Sequence, residues 1–154
     1  MRAAVAGHDA VIVSAAPKPS AIKDTPDYFS RGTKYCIEAM KEQGVKRLVV
    51  LTAFGCGDSE AVAGWFMKTI FIEGLLKGFY SDHDVQERMT RESGLDFVIT
   101  RPTFLTNGRA KGKYIRTSEL ISVSWPISRA DVADFMVEAS ESATWVGKAV
   151  QLGG

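Results

Sequence analysis

The chain has 154 residues, 45% apolar and 24% charged, with a net charge of +1. That length suits one domain with a real core and is short for two. A charge this close to zero gives no general attraction to nucleic acid or to an anionic membrane.

Two cysteines, Cys36 and Cys56, show neither metal-ligand spacing nor a paired framework. Reduced thiols in a cytoplasmic protein are the expectation. Met1–Gly7 leads to His8 and Asp9, not to a long apolar run, so no signal peptide is read there. The most apolar segment, 65–80, is broken by Lys68, Glu73 and Lys77 and makes a poor membrane span.

Met1–Ala6 reads as the tail of a helix stopped by Gly7. Ala10-Val11-Ile12-Val13 is a short continuous apolar run, which predicts a parallel strand buried on both faces. Ser14-Ala15-Ala16-Pro17 follows. Small residues at a strand's carboxyl end let a ligand approach the backbone; a plain surface loop is the other reading. Residues 18–24 read as a polar loop. Asp24 or Thr25 is placed to cap the next helix, with Pro26 in its first turn.

Phe29, Thr33, Cys36, Ile37 and Met40 recur at helical spacing, with Lys34, Glu38, Lys41 and Glu42 on the other face. Gly44 closes this helix. Gly32 within it lowers helix propensity by about 1 kcal/mol relative to alanine; a close contact with a strand or a ligand would explain it, but the sequence shows none. Leu48-Val49-Val50-Leu51-Thr52 is the strongest strand signal, followed by the loop Ala53–Asp58. The segment 65–80 reads as a mostly buried helix or one broken near Gly74, serving either packing or a ligand-covering lid.

Ser81 or Asp82 is placed to cap a helix that ends at Gly94. Asp96–Thr100 predicts a strand, ended by Pro102, which has no N–H for a ladder. Short strands are expected near Gly112–Ile115 and over Ile121–Ser124. Ser128 is spaced to cap a helix with Asp131 at its third position. Ala149–Leu152 reads as a last strand.

Alternating strands and helices predict an α/β fold, a Rossmann-like parallel sheet with flanking helices. Four stretches, Gly7–Ala15, Gly44–Thr52, Asp82–Pro102 and Ile127–Ala133, together carry a family resemblance over nearly the whole chain. The chain resembles the NAD(P)H-binding, biliverdin/flavin-reductase-like and NmrA-like members of the atypical short-chain dehydrogenase/reductase group. That resemblance implies an N-terminally truncated sheet, with the first three strands missing and Ala10–Val13 corresponding to the fourth. Residues 1–154 are then a single partial domain. No glycine-rich Gly-x-Gly-x-x-Gly or Gly-x-x-Gly-x-x-Gly turn occurs in the chain.

The resemblance implies NAD(P)H as cofactor, held weakly here, and hydride transfer to a small carbonyl, quinone or flavin in the full-length protein. A non-catalytic NAD(P)-sensing or scaffold module, or a truncated chain without activity, is the alternative. The implied cofactor contacts are Ser14, Ala15, Ala16, Thr52, Ala53, Phe54, His83, Pro102, Thr103, Phe104 and Leu105. His83 stands at the family's lysine position and Phe79 at its tyrosine position; Tyr80 is one residue off. Thr52 and His83 are the candidate catalytic residues. Ala53 replaces a hydroxyl common in the family, and Thr103 stands where some relatives carry a histidine. Arg101 is expected in a structural ion pair with a helix carboxylate. The apolar strand Ala10–Val13, left as a sheet edge, is expected to promote self-association.

Overall fold

β-Branched and leucine runs form the parallel core of the sheet. The computed structural model describes residues 1–17, 25–65, 67–123 and 125–154. In chain order the elements are α1 (Arg2–Val5), β1 (Ala10–Val13), α2 (Tyr28–Gln43), β2 (Arg47–Leu51), a 3₁₀ turn (Gly57–Val62), a π-helical segment (Met67–Leu75), α3 (Lys77–Glu92), β3 (Asp96–Pro102), β4 (Leu105–Thr106), β5 (Ile115–Thr117), β6 (Ile127–Ser128), α4 (Arg129–Glu141) and β7 (Lys148–Gly153).

The main sheet has the order β1-β2-β3-β7-β5. Its first four strands are parallel, and β5 runs antiparallel to β7. Strand alternation divides the core. Val49, Val98, Val150 and Leu152 pack on Val132, Phe135 and Met136 of α4. On the opposite face Leu48, Val50 and Ile99 pack on Val5, Ile37 and Met40 of α1 and α2. The sheet is thus covered on both sides, which is why its central strands read as unbroken apolar runs.

Several boundaries differ from expectation. The helix α3 begins at Lys77, one turn before Ser81 and Asp82, so neither residue caps it. Asp82 instead faces the start of α2. Its carboxylate accepts the N–H groups of Phe29 (2.7 Å) and Ser30 (3.2 Å). The local N-cap position of α2 is Asp27, whose side chain makes no capping bond. Asp24 and the rest of 18–24 lie outside the described residues. β3 ends at Pro102, as expected, and its pairing with β7 reaches that residue, which lies opposite Leu152. A proline is tolerated there because its carbonyl still serves the ladder, accepting Phe54 N–H at 2.9 Å.

Residues 121–123 form no strand, and Ser124 lies outside the described residues. The strand expected near Gly112–Ile115 begins only at Ile115. An added Cβ at Gly32 would touch nothing within 4 Å, so no close contact explains that glycine. The break near Gly74 is real, with non-helical φ −104° and ψ −109°, but Trp65 before it is 79% exposed. The strand β1 is not covered on both faces: Ile12 is 41% exposed.

The helix start at Ser128 follows the expected chemistry. Its Oγ accepts Asp131 N–H at 2.9 Å and donates to Asp131 Oδ2 at 2.6 Å. The other carboxylate oxygen accepts the N–H groups of Lys111 and Gly112 at 2.8 and 2.9 Å. One aspartate therefore ties a distant loop to the helix start. These hydrogen bonds, first that from Ser128 and then that from Gly112, hold its carboxyl below the usual carboxylate range.

Candidate functional site

Three chain segments leave the sheet side by side at the carboxyl ends of β1, β2 and β3. They are 14–16, 52–54 and 103–105. Thr52 N–H donates to Thr100 O, Phe54 N–H to Pro102 O, and Thr103 N–H to Leu152 O, each at 2.9 Å. The last two segments therefore stay in register with the sheet below them. Ser14, Ala15 and Ala16 are exposed.

A groove of about 450 Å³ opens beside this edge, within the range of small-molecule sites. Ser14, Ala16 and Leu105 line it, with Ile12, Val132 and Met136 among its apolar walls. Ala15 turns to the opposite face and lines a second hollow of about 300 Å³ with Phe29 and Gly32. Phe104 is 52% exposed at the rim. Phe54 is buried; its carbonyl accepts the Tyr80 hydroxyl at 3.4 Å. Burial pushes the Tyr80 phenol up to about 12.

Thr52 points away from the groove into a buried polar cluster. Its Oγ1 donates to Glu87 Oε1 at 2.9 Å. Arg101 grips the same carboxylate with two parallel bonds, Nε to Oε1 at 2.8 Å and Nη2 to Oε2 at 2.5 Å. Its Nη1 reaches Asp58 of the 3₁₀ turn at 2.5 Å. Arg101 and Glu87 are 1% and 2% exposed, so this is a desolvated, bidentate pair. The structural ion pair expected for Arg101 is present. Burial disfavours the Asp58 carboxylate, but the hydrogen bond and charge of Arg101 outweigh it and hold its carboxyl low. Gly57 sits over the pair at φ +55°; a Cβ there would lie 2.7 Å from Arg101 Nη2 and 2.8 Å from Glu87 Oε2. Cys56, next to it, is fully buried, and burial with the nearby Glu87 charge pushes its thiol up.

His83 lies inside the α2–α3 contact, 2% exposed. Its ring stacks on Phe29 (centroids 4.0 Å apart) and meets Phe79 edge-on (4.4 Å). Nδ1 is 2.7 Å from Gln86 Oε1, and Gln86 Nε2 donates to Thr33 Oγ1 at 2.8 Å. A carbonyl-type partner requires the proton on Nδ1, which leaves Nε2 as a bare acceptor. Among the described residues Nε2 has no partner. Burial lowers the pKa of His83 below its ordinary 6.5, against the raising effect of Gln86.

The direction of that shift gives a pH expectation. Below about pH 6.5 the unfolded chain takes up a proton that the buried ring does not, so stability falls as pH falls through that range. Thermal melts between pH 7.5 and 5.5 are expected to show it, and His83→Gln to flatten that part of the profile. An unchanged slope in the variant would refute the assignment.

Among the described residues no group of His, Cys, Asp and Glu has metal-binding geometry, and no helix is long and apolar enough to cross a membrane. Both cysteines are free and buried.

A mostly parallel, two-sided sheet with loops gathered at its strand carboxyl ends defines a Rossmann-like protein of the nucleotide-binding class. Residues 1–143 match the family described as NAD(P)H-binding, and the chain belongs to that family. A relative from Saccharomyces cerevisiae, UPF0659 protein YMR090W, is 30% identical over 139 residues, 88% of this chain and 58% of its own length. The anaerobillin reductase ChuY of Escherichia coli O157:H7 superposes with a TM-score of 0.78 at 23% identity, over 99% of this chain and 66% of that one. A short-chain dehydrogenase/reductase of Veillonella parvula, solved with NADP, gives 0.78 at 18% identity over the same shares. The chain thus spans about three fifths of the yeast relative's length.

Proposed function

We propose that this chain forms the nicotinamide side of an NAD(P)H site, and that the full-length protein is an NAD(P)H-dependent oxidoreductase of a small carbonyl, quinone or flavin. One observation carries the reading. The carboxyl ends of three adjacent parallel strands bring 14–16, 52–54 and 102–105 to one edge of the sheet, the place where such sheets take nucleotides. NAD(P)H, when bound, supplies the hydride. Ser14 and Ala16 lack bulk, so the cofactor can approach their backbone, while Leu105 and Phe104 shield it from water. The family setting and two reduced, buried thiols support a cytoplasmic location.

A second reading is binding without turnover, as a sensor or scaffold. It is favoured by the state of the two candidate catalytic side chains. The Thr52 hydroxyl hydrogen is spent on Glu87, and the neutral His83 ring presents an acceptor, not a proton, at Nε2. In this role His83 would accept a hydrogen bond from the cofactor once the Phe29 ring shifts.

Titration with NADPH, followed by nicotinamide fluorescence, separates the readings. Saturation in the millimolar range with oxidation by an added quinone or flavin is the expected result, weak because the chain carries no glycine-rich phosphate turn. His83→Ala should weaken that binding. Saturation without turnover selects the sensing role. No binding at millimolar cofactor would overturn both and leave a chain without independent activity.

A further inference from the structure

α3 presents two polar faces, and they serve different neighbours. Asp82, His83 and Gln86 meet α2. Tyr80, Asp84 and Glu87, spaced four and then three residues apart, share the other face. That face holds the segment that follows β2. The Tyr80 hydroxyl donates to Phe54 O at 3.4 Å. Asp84 Oδ1 accepts Gly57 N–H at 2.7 Å. Glu87 grips Arg101, whose Nη1 donates to Asp58 Oδ1 at 2.5 Å. The segment is also fixed from within. Gly55 N–H donates to Ser59 Oγ at 2.9 Å, and that hydroxyl donates to Cys56 O at 2.7 Å. With Phe54 N–H on Pro102 O and Cys56 N–H on Ala53 O, every N–H from Phe54 to Gly57 is bonded. None is left over for a phosphate, so the segment offers a ligand a fixed wall.

We propose, resting on the NAD(P)H reading above, that Asp84 and Asp58 are positioning residues of the cofactor site. Through Gly57 and Arg101 they hold segment 53–58 in the shape that sets Ala53 and Phe54 against the nicotinamide. Neither carboxylate is buried with the apolar core: Asp84 is half-buried and the Asp58 side chain 57% exposed. Yet both tie down the same short loop, one from α3 and one from the loop itself to an arginine that is 1% exposed. A loop held in its binding shape loses no freedom when the ligand arrives, and affinity gains by that amount. Tyr80 and Asp84, four residues apart on α3, thus act on the wall of the site and not on the reacting atoms.

The initial slope of an NADPH titration, read by nicotinamide fluorescence well below the melting temperature, tests this without needing saturation. Asp84→Ala is expected to lower the slope by about threefold to tenfold, because losing one hydrogen bond that sets the loop lowers the binding-competent fraction. Asp84→Asn keeps an oxygen for Gly57 N–H and should restore most of the slope. Ser93→Ala removes a buried hydroxyl at the far end of α3. It should lower the melting temperature and leave the slope unchanged. If Asp84→Ala does not fold, Asp58→Ala, at an exposed carboxylate, decides alone, with the same loss expected. A folded alanine variant with the wild-type slope overturns the positioning role and leaves the cofactor reading standing. So does a loss shared equally by Ser93→Ala, or one that Asp84→Asn does not restore. No response from the wild-type chain overturns the cofactor reading, and the positioning role with it.

Discussion

Glu87→Ala is expected to destabilise the protein by about 3–5 kcal/mol, the usual cost of removing one partner from a buried ion pair. The reason is what remains. Arg101, 1% exposed, would keep its charge with only the half-exposed Asp58 as counter-ion. The Thr52 hydroxyl would lose its acceptor at 2.9 Å, leaving only the marginal contact with Thr100 O at 3.5 Å. Three elements meet on this carboxylate: β2 through Thr52, β3 through Arg101, and α3, which carries it. Domains of this size are stable by about 5–15 kcal/mol, so the variant should sit near the folding threshold. Urea denaturation gives the number directly. The double variant Glu87→Leu/Arg101→Met should recover much of the loss, because it removes both charges together. A single-variant cost below about 1 kcal/mol would mean that the pair is not desolvated in solution.

Asp82→Ala is expected to cost about 2–4 kcal/mol, since each buried donor left without a partner costs about 1–3 kcal/mol. Two such donors would be stranded, the N–H groups of Phe29 and Ser30 at the start of α2. Asp82 is 6% exposed, so water does not simply replace it. The carboxylate also opposes the positive end of the α2 dipole. Asp82→Asn keeps one acceptor and should lose less than half as much. Amide exchange at Phe29 and Ser30 is the local readout. Faster exchange there with little change in β3 would show that α2 frays from its first turn. Unchanged exchange at both amides would contradict the assignment. Because Phe29 stacks on His83, fraying at this end would also open the pocket around the imidazole.

Much of the architecture was legible in local chemistry. Apolar runs of strand length, the helical rhythm of Phe29 to Met40, and Gly44 and Gly94 as helix stops are short-range signals. Each acts through residues a few positions apart. The Ser128–Asp131 cap was legible for the same reason: both partners lie three residues apart. The Arg101 pair was legible only as a type of contact. Naming Glu87 required knowing that α3 lies against β2 and β3.

The misread positions share one cause. Ser81 and Asp82 have the composition of a helix start, yet the helix begins at Lys77 because the chain bends at Gly74 and then packs Tyr80 beside Cys56 and Ile72. Asp82 does cap a helix, but one 53 residues away in sequence. Nothing in the run Ile121–Val123 distinguishes a strand from a segment outside the sheet.

Composition and spacing alone settled the fold class and the order along the chain of the main strands and long helices. These depend on backbone preference and on periodic burial, which a linear chain records directly. Which side chains are free for chemistry was decided only by packing. Thr52 turns under Glu87 and His83 sits between Phe29 and Phe79, because strand alternation and the α2–α3 contact aim them inward. Burial and hydrogen bonding over tens of residues determine whether a hydroxyl or an imidazole is a reagent or a brace. That information exists only once distant parts of the chain are in contact.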